Sequence, residues 1–80
     1  MYLEIITPDK KVFEGEVNLV QLPGSKGSFT LLKNHAPIIS TIDKGIITVR
    51  EVSGKEQHFN VSGRDVENIE NQIIILVEAV

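Results

Sequence analysis

The chain has 80 residues, of which 41% are hydrophobic, and eight Lys and Arg against eleven Asp and Glu give a formal net charge of −3. This length and composition predict a single folded domain over residues 1–80 and argue against a disordered chain. The absence of cysteine excludes disulfides, thiolate chemistry and cysteine-ligated zinc. The basic residues are scattered rather than gathered in a stripe, which argues against binding to nucleic acid.

Turn-forming residues separate short segments that are rich in Ile and Val. This spacing is typical of an all-β fold, an antiparallel β-sandwich or barrel. No stretch combines the i, i+3, i+4 and i+7 apolar spacing of a helix with a cap before it. The turn signals lie at residues 7–9, 23–28, 33–34, 43–45, 53–55, 62–64 and 70–71.

The first part of the chain alternates between apolar and polar residues, with one interruption. Val17 and Leu19 share one phase, whereas Val20 and Leu22 share the other. A slip of one residue inside a strand indicates a β-bulge, or a strand that passes from one sheet to another.

Two tight hairpins are predicted in the second part of the chain. Asp43-Lys44-Gly45 is expected to join the segments 38–42 and 46–49, with Gly45 at positive φ, and Ser53-Gly54-Lys55 is read in the same way. The later run Ile73 to Val77 does not alternate. It predicts a strand covered on both faces, or one whose outer face meets another protein.

The same run is the longest apolar stretch, far shorter than the roughly 20 residues of a membrane-spanning helix. The amino-terminal MYLEIITPDKK lacks the basic, apolar and small-residue order of a cleaved signal. We therefore expect a protein of the cytosolic compartment, without direct membrane insertion.

The residues offer little for chemistry. His35 and His58 belong to no metal-binding spacing, and neither Ser40 nor Ser62 lies in a nucleophile elbow. The segment 23–28 lacks the GK[ST] ending of a phosphate-binding loop, and a strand rather than a helix follows it. We expect no catalytic, metal-binding or cofactor-binding residue. A small hydrolase that uses His35 with a serine remains as an alternative, which loss of activity in His35→Ala would support.

Four consecutive segments carry a resemblance to a known family: LEIITPDKKVFEGEV, QLPGSKGSFTLLKNHAPIIS, DKGIITVR and FNVSGRDVENIENQIIILVE. In this order and spacing they resemble the epsilon subunit of F-type ATP synthases over essentially the whole chain. The resemblance implies an antiparallel β-sandwich of about ten strands, at the foot of the rotor's central stalk. It further implies a non-catalytic subunit without a cofactor, peripheral at the cytoplasmic face of the bacterial membrane.

The implied partners are the gamma subunit and the polar loops of the membrane c-ring, and the implied role is to couple ring rotation to gamma and so to ATP synthesis. Thr7 and His35 fall at gamma-facing positions of the family. Ser28 and Thr30 stand where the family often has an acid and a glycine, and Gly63-Arg64 replaces a double glycine. The c-ring-facing positions are Gly24, Ser25, Lys26, Gly27, Ser28, Phe29 and Thr30.

Typical members of the family continue into a two-helix hairpin, which inhibits ATP hydrolysis in many species and binds ATP in some. We expect neither that hairpin nor an ATP site in this chain. The alternative function is a free-standing β-sandwich that binds a peptide or carbohydrate. The chain has one Tyr, three Phe and no Trp, and Phe13, Phe29 and Phe59 are expected at core positions, which argues against a sugar-binding platform.

Overall fold

The computed structural model describes all residues from 1 to 80 and contains seven β-strands and no helix. The all-β class predicted from the sequence is confirmed. No helix has the length and apolar character needed to cross a membrane. The strands are β1 (Tyr2–Ile6), β2 (Lys11–Gly24), β3 (Gly27–Leu32), β4 (Ile38–Thr41), β5 (Gly45–Glu51), β6 (Glu56–Ile69) and β7 (Gln72–Ala79).

The strands form one continuous sheet in the order β1-β7-β6-β5-β2-β3, with β4 on β6 and β1 closing onto β2. The sheet folds into two layers because β2 and β6 each contribute to both. Layer 1 contains β1, the first part of β2, β4, the last part of β6, and β7. Layer 2 contains the rest of β2, β3, β5 and the first part of β6.

The predicted slip in β2 lies where this strand changes layers. The pairing register with β5 shifts between Val17 and Leu19, which leaves Asn18 as the extra residue of a bulge. Val17, Val20 and Leu22 are all fully buried. The bulge therefore lets one strand direct apolar side chains inward in both layers.

A similar change of phase occurs in β6, where the register with β7 shifts on both sides of Gly63. β2 and β6 are each 14 residues long, and each passes through both layers as one continuous strand. The structure therefore has seven strands, whereas about ten were expected. All strand pairs are antiparallel except β1 with β7, which is parallel.

The core between the layers contains 14 buried aliphatic residues. Phe13, Phe29 and Phe59 are partly buried against it, as the sequence predicted. Asn68 is also completely buried, and neither its Oδ1 nor its Nδ2 has a hydrogen-bond partner. The members of the core are Leu3, Ile5, Val17, Val20, Leu22, Leu31, Ile42, Ile47, Val49, Val61, Val66, Ile73, Ile75 and Val77.

The predicted hairpin at residues 43–45 is wrong. β4 pairs with β6 in layer 1, whereas β5 pairs with β2 and β6 in layer 2, so this segment connects the layers. Gly45 is not among the residues at positive φ. A Cβ at Gly45 would lie 2.9 Å from the Cβ of Pro23, so close packing accounts for the glycine. The hairpin at residues 53–55 is present between β5 and β6, with Gly54 at a φ of 95°.

Candidate subunit interfaces

The β2–β3 hairpin contains the seven residues, Gly24 to Thr30, that the resemblance assigns to the c-ring. β2 and β3 stay paired as far as Gly24 and Gly27, so only Ser25 and Lys26 project beyond the strands. A Cβ on Gly24 would lie 2.7 Å from the ring of Phe29, which places this half-buried ring directly over the glycine. The segment is therefore a short, well-supported hairpin tip.

An open groove of about 450 Å³ runs beside this tip and is lined mainly by glycine and hydroxyl-bearing side chains. Ser25 Oγ lies 2.9 Å from Thr41 Oγ1 and 3.4 Å from the carboxylate of Asp43. The backbone N–H of Asp43 donates to the carbonyl of Pro23 at 2.7 Å. These bonds tie the tip to the end of β4, so its exposed polar groups are held in place.

His35 lies at the opposite end of β4, in the exposed segment Lys33–Pro37. Its Nδ1 is 2.7 Å from the carbonyl oxygen of Ala36. A carbonyl only accepts, so Nδ1 carries the proton and Nε2 of the neutral ring is left as an acceptor. A single exposed imidazole without further ligating side chains beside it does not form a metal site.

Thr7 is 9% exposed and caps the turn between β1 and β2. Its hydroxyl accepts from the backbone N–H groups of Asp9 and Lys10 at 3.3 and 3.1 Å. The five residues of β1 separate Thr7 from the end of the sandwich that holds His35, a distance of roughly 17 Å at about 3.3 Å per residue. The structure therefore places the two positions that the resemblance assigns to gamma at opposite ends of layer 1.

The outer face of layer 1 lies between these two positions and carries exposed aliphatic side chains. Ile74 and Leu76 are 39% and 36% exposed, while the intervening Ile75 is fully buried. The run 73–77 is therefore not covered on both faces within this chain. Across β6, Ile39 lies in the same row as Ile74 and is 75% exposed. The sequence indicated this layer 1 face only indirectly, through the run 73–77, which does not alternate between apolar and polar residues.

Acidic side chains surround the apolar part of the layer 1 face. Glu67 pairs with Ile74 on one side, and Glu4 pairs with it on the other. Outer-face positions in layer 1 also include Glu14, opposite Glu4 on β2, and Asp65, opposite Leu76. A complementary partner would combine apolar and basic side chains.

Part of this charge is organised by a small network at the β1–β2 edge. The Tyr2 hydroxyl donates to Glu14 Oε2, and Lys11 Nζ lies 3.0 Å from Glu4 and 3.2 Å from Glu14. The bond from Tyr2, followed by that from Lys11, lowers the pKa of Glu14. The bond to Glu14 raises the pKa of Tyr2, and the bonds to Glu4 and then Glu14 raise the pKa of Lys11.

The remaining candidates for chemistry do not come together. His58 lies on the outer face of layer 2, with Nδ1 3.1 Å from Thr48 Oγ1 and Nε2 3.2 Å from Glu56. His35 is in the loop before β4, and Ser40 donates to the carbonyl of Thr41. No group of three or more His, Cys, Asp or Glu side chains is placed to hold a metal ion.

Comparison with known proteins identifies this sandwich. The family model described as the ATP synthase delta/epsilon chain β-sandwich domain matches residues 1–80. The ATP synthase epsilon chain of Chlorobaculum tepidum is 37% identical over 78 residues, with 98% of this chain and 89% of that protein covered. The epsilon chain of Campylobacter fetus is 33% identical over 78 residues, and the match covers 98% of this chain and 60% of that protein. This chain thus spans about 60% of the length of the first curated relatives it matches.

Solved structures share the fold at lower sequence identity. A chain of the Euglena gracilis mitochondrial ATP synthase, in an OSCP/F1/c-ring structure, aligns with a TM-score of 0.87 at 22% identity, covering 98% of this chain and 51% of that one. A chain from a central stalk and c-ring structure of the Tetrahymena thermophila mitochondrial ATP synthase aligns with a TM-score of 0.79 at 20% identity, covering 98% and 63%. With the family model matching the whole sequence, the chain belongs to the family of the ATP synthase delta/epsilon chain β-sandwich domain.

Proposed function

We propose that this chain is a non-catalytic subunit of the central stalk of a proton-translocating F-type ATP synthase, where it couples rotation of the c-ring to gamma. Residues 1–80 act as one domain at the cytoplasmic face of the membrane, without a cofactor. Two observations support this proposal: the chain belongs to the family, and its small sandwich has two separate exposed surfaces, the β2–β3 hairpin tip and the outer face of layer 1. Such a chain transmits torque by holding two partners, which requires surfaces but no reacting groups.

The β2–β3 hairpin tip is the proposed contact with the polar loops of the c-ring. Lys26 has no acidic partner in the chain, and Ser28 and Thr30 are exposed beside it. The tip is braced by the bonds of Ser25 and Asp43, so little conformational entropy remains to be lost when it binds.

The layer 1 face is the proposed contact with gamma, with Thr7 and His35 at its two ends. Exposed Ile39, Ile74 and Leu76 supply the apolar area that a subunit contact buries. Thr7 contributes through its turn, because its hydroxyl is already engaged within the chain. His35 contributes a free ring nitrogen at the other end.

Binding of the chain to purified gamma tests this proposal. We expect a one-to-one complex at micromolar concentration, and Ile39→Asp should weaken it about tenfold or more, since it places a charge in a buried apolar contact. Ile46→Asp is the matched control, because Ile46 is 56% exposed on the opposite layer. Equal effects of the two substitutions would refute the assignment of the layer 1 face.

The hairpin tip is tested separately with c-rings in detergent or membranes. Lys26→Glu should weaken binding of the stalk complex to the ring, while affinity for gamma stays unchanged. Failure of the unaltered chain to bind either partner would favour a free-standing binding module instead.

A further inference from the structure

The segment Lys33–Pro37, which carries His35, has few attachments to the rest of the molecule. All five residues are exposed, so packing does not fix the segment. Its only hydrogen bond between two backbone groups is from His35 N–H to the carbonyl of Leu32 at 3.1 Å, which closes the turn at the end of β3. Contacts that hold its position over layer 1 must come from side chains.

A reciprocal pair of asparagines provides that attachment. The backbone N–H of Asn34 donates to Asn71 Oδ1 at 2.7 Å, and Asn71 Nδ2 donates to Asn34 Oδ1 at 3.1 Å. The two residues are 37 positions apart, and Asn71 belongs to the β6–β7 turn. Both have positive φ, 66° for Asn34 and 63° for Asn71, a conformation that Asn adopts more readily than most residues.

The anchor also reaches the layer 1 face. The carbonyl of Asn71 accepts from the backbone N–H of Tyr2 at 2.9 Å, so Asn71 is held at the junction of β1 and β7. A single residue therefore connects the strands of that face to the loop that carries His35.

We propose that Asn71 is the positioning residue for His35: its side-chain amide fixes the Lys33–Pro37 segment and so presents His35 beside the layer 1 face in one orientation and one tautomer. The consequence for subunit contact rests on the proposed function, whereas the anchoring itself is a property of this chain alone. Asn71 makes no contact with gamma in this account and acts only through the loop.

Three variants of the full chain separate the anchor from the turn around it. Asn71→Gly keeps the positive φ and loses both bonds, and Asn71→Asp keeps the acceptor for Asn34 N–H. Glu70→Gly is the matched control, because Glu70 has a φ of 50° in the same turn and its side chain makes no hydrogen bond or ion pair. Urea unfolding of each variant verifies that the sandwich remains folded.

Hydrogen exchange at the Asn34 amide is the first measurement. We expect the Asn34 amide to exchange about tenfold faster or more in Asn71→Gly, because this variant loses the two hydrogen bonds between the side chain of Asn71 and Asn34, each of ordinary net strength. Asn71→Asp and Glu70→Gly should stay near the unaltered rate. The nitrogen chemical shifts of His35 should show the Nδ1–H tautomer in the unaltered chain and lose that preference in Asn71→Gly. Unchanged exchange and tautomer in Asn71→Gly would overturn the proposal.

Affinity for gamma is the second measurement. Asn71→Gly should bind several-fold more weakly than the unaltered chain, and Asn71→Asp should restore most of the affinity. Equal affinity of all variants would overturn the role of Asn71 in presenting His35. If the unaltered chain does not bind gamma, the proposed function fails, and the exchange and tautomer results still decide whether Asn71 anchors the loop.

Discussion

Replacing Asn68 by leucine should stabilise the protein. The side chain of Asn68 is fully buried in layer 1, between the cross-strand neighbours Ile38 and Ile73, and neither polar atom is hydrogen-bonded. Leaving a buried polar group unsatisfied costs about 1–3 kcal/mol. Leucine has the same branching and removes both polar atoms, but its side chain is somewhat larger, so tighter packing offsets part of this gain.

We therefore expect Asn68→Leu to raise the free energy of unfolding by about 1 kcal/mol once the packing cost is subtracted, with a Tm increase of about 4–8 °C for a chain of this length. Urea unfolding followed by circular dichroism measures the change, and an unaltered m-value shows that the denatured state is the same. Asn60→Leu is the matched control on the same strand, because Asn60 is exposed. Its effect should stay within about 0.5 kcal/mol.

A loss of 1 kcal/mol or more in Asn68→Leu, with Asn60→Leu unchanged, would refute this reasoning. It would mean that the amide of Asn68 is hydrogen-bonded in solution, or that the larger leucine side chain does not fit the site.

Four further outcomes follow from other contacts. Gly24→Ala should destabilise the fold by about 1–3 kcal/mol in urea unfolding, since its Cβ would lie 2.6 Å from a backbone oxygen, whereas Gly15→Ala, with its nearest contact at 3.6 Å, should be neutral. Because folding lowers the pKa of Glu14, the ionised Glu14 carboxylate stabilises the fold above its unfolded-state pKa, and this stabilisation is lost as pH falls through its folded-state pKa. Tyr2→Phe removes the bond that contributes most to this shift, so it should reduce the fall in the urea midpoint between about pH 5 and pH 3. The raised pKa of Tyr2 has the opposite sign, and its stabilisation is lost above about pH 10. Ile74→Lys should leave the fold intact and weaken gamma binding, and unchanged affinity would contradict the layer 1 contact.

Patterns that depend on neighbouring residues were predictable from the sequence. The slip between Val17 and Val20 indicated the bulge of β2, because a residue inserted in a strand changes which face later side chains occupy. The turn at Ser53–Lys55 was also predictable, since its glycine and its flanking strands are adjacent in the chain.

Features that depend on distant pairing were not predictable in the same way. Asp43–Gly45 has the composition of a hairpin turn, but which strand β4 pairs with is decided by β6, more than 20 residues later. The Asn34–Asn71 anchor likewise joins two turns that lack any shared local signal. Whether Ile74 and Leu76 are exposed depends on what covers β7. The run of apolar residues did not distinguish a strand covered on both faces from a strand whose outer face meets another protein.

Reconstitution of the central stalk tests the proposed function most directly. The purified chain is added to a catalytic core with gamma that lacks its own epsilon subunit, together with c-ring-containing membranes stripped of F1, and proton-driven ATP synthesis is measured. We expect stoichiometric incorporation and restored coupling, which Ile39→Asp reduces and Ile46→Asp does not. A chain that fails to enter the complex at micromolar concentration, or enters without restoring coupling, would contradict the proposed stalk function.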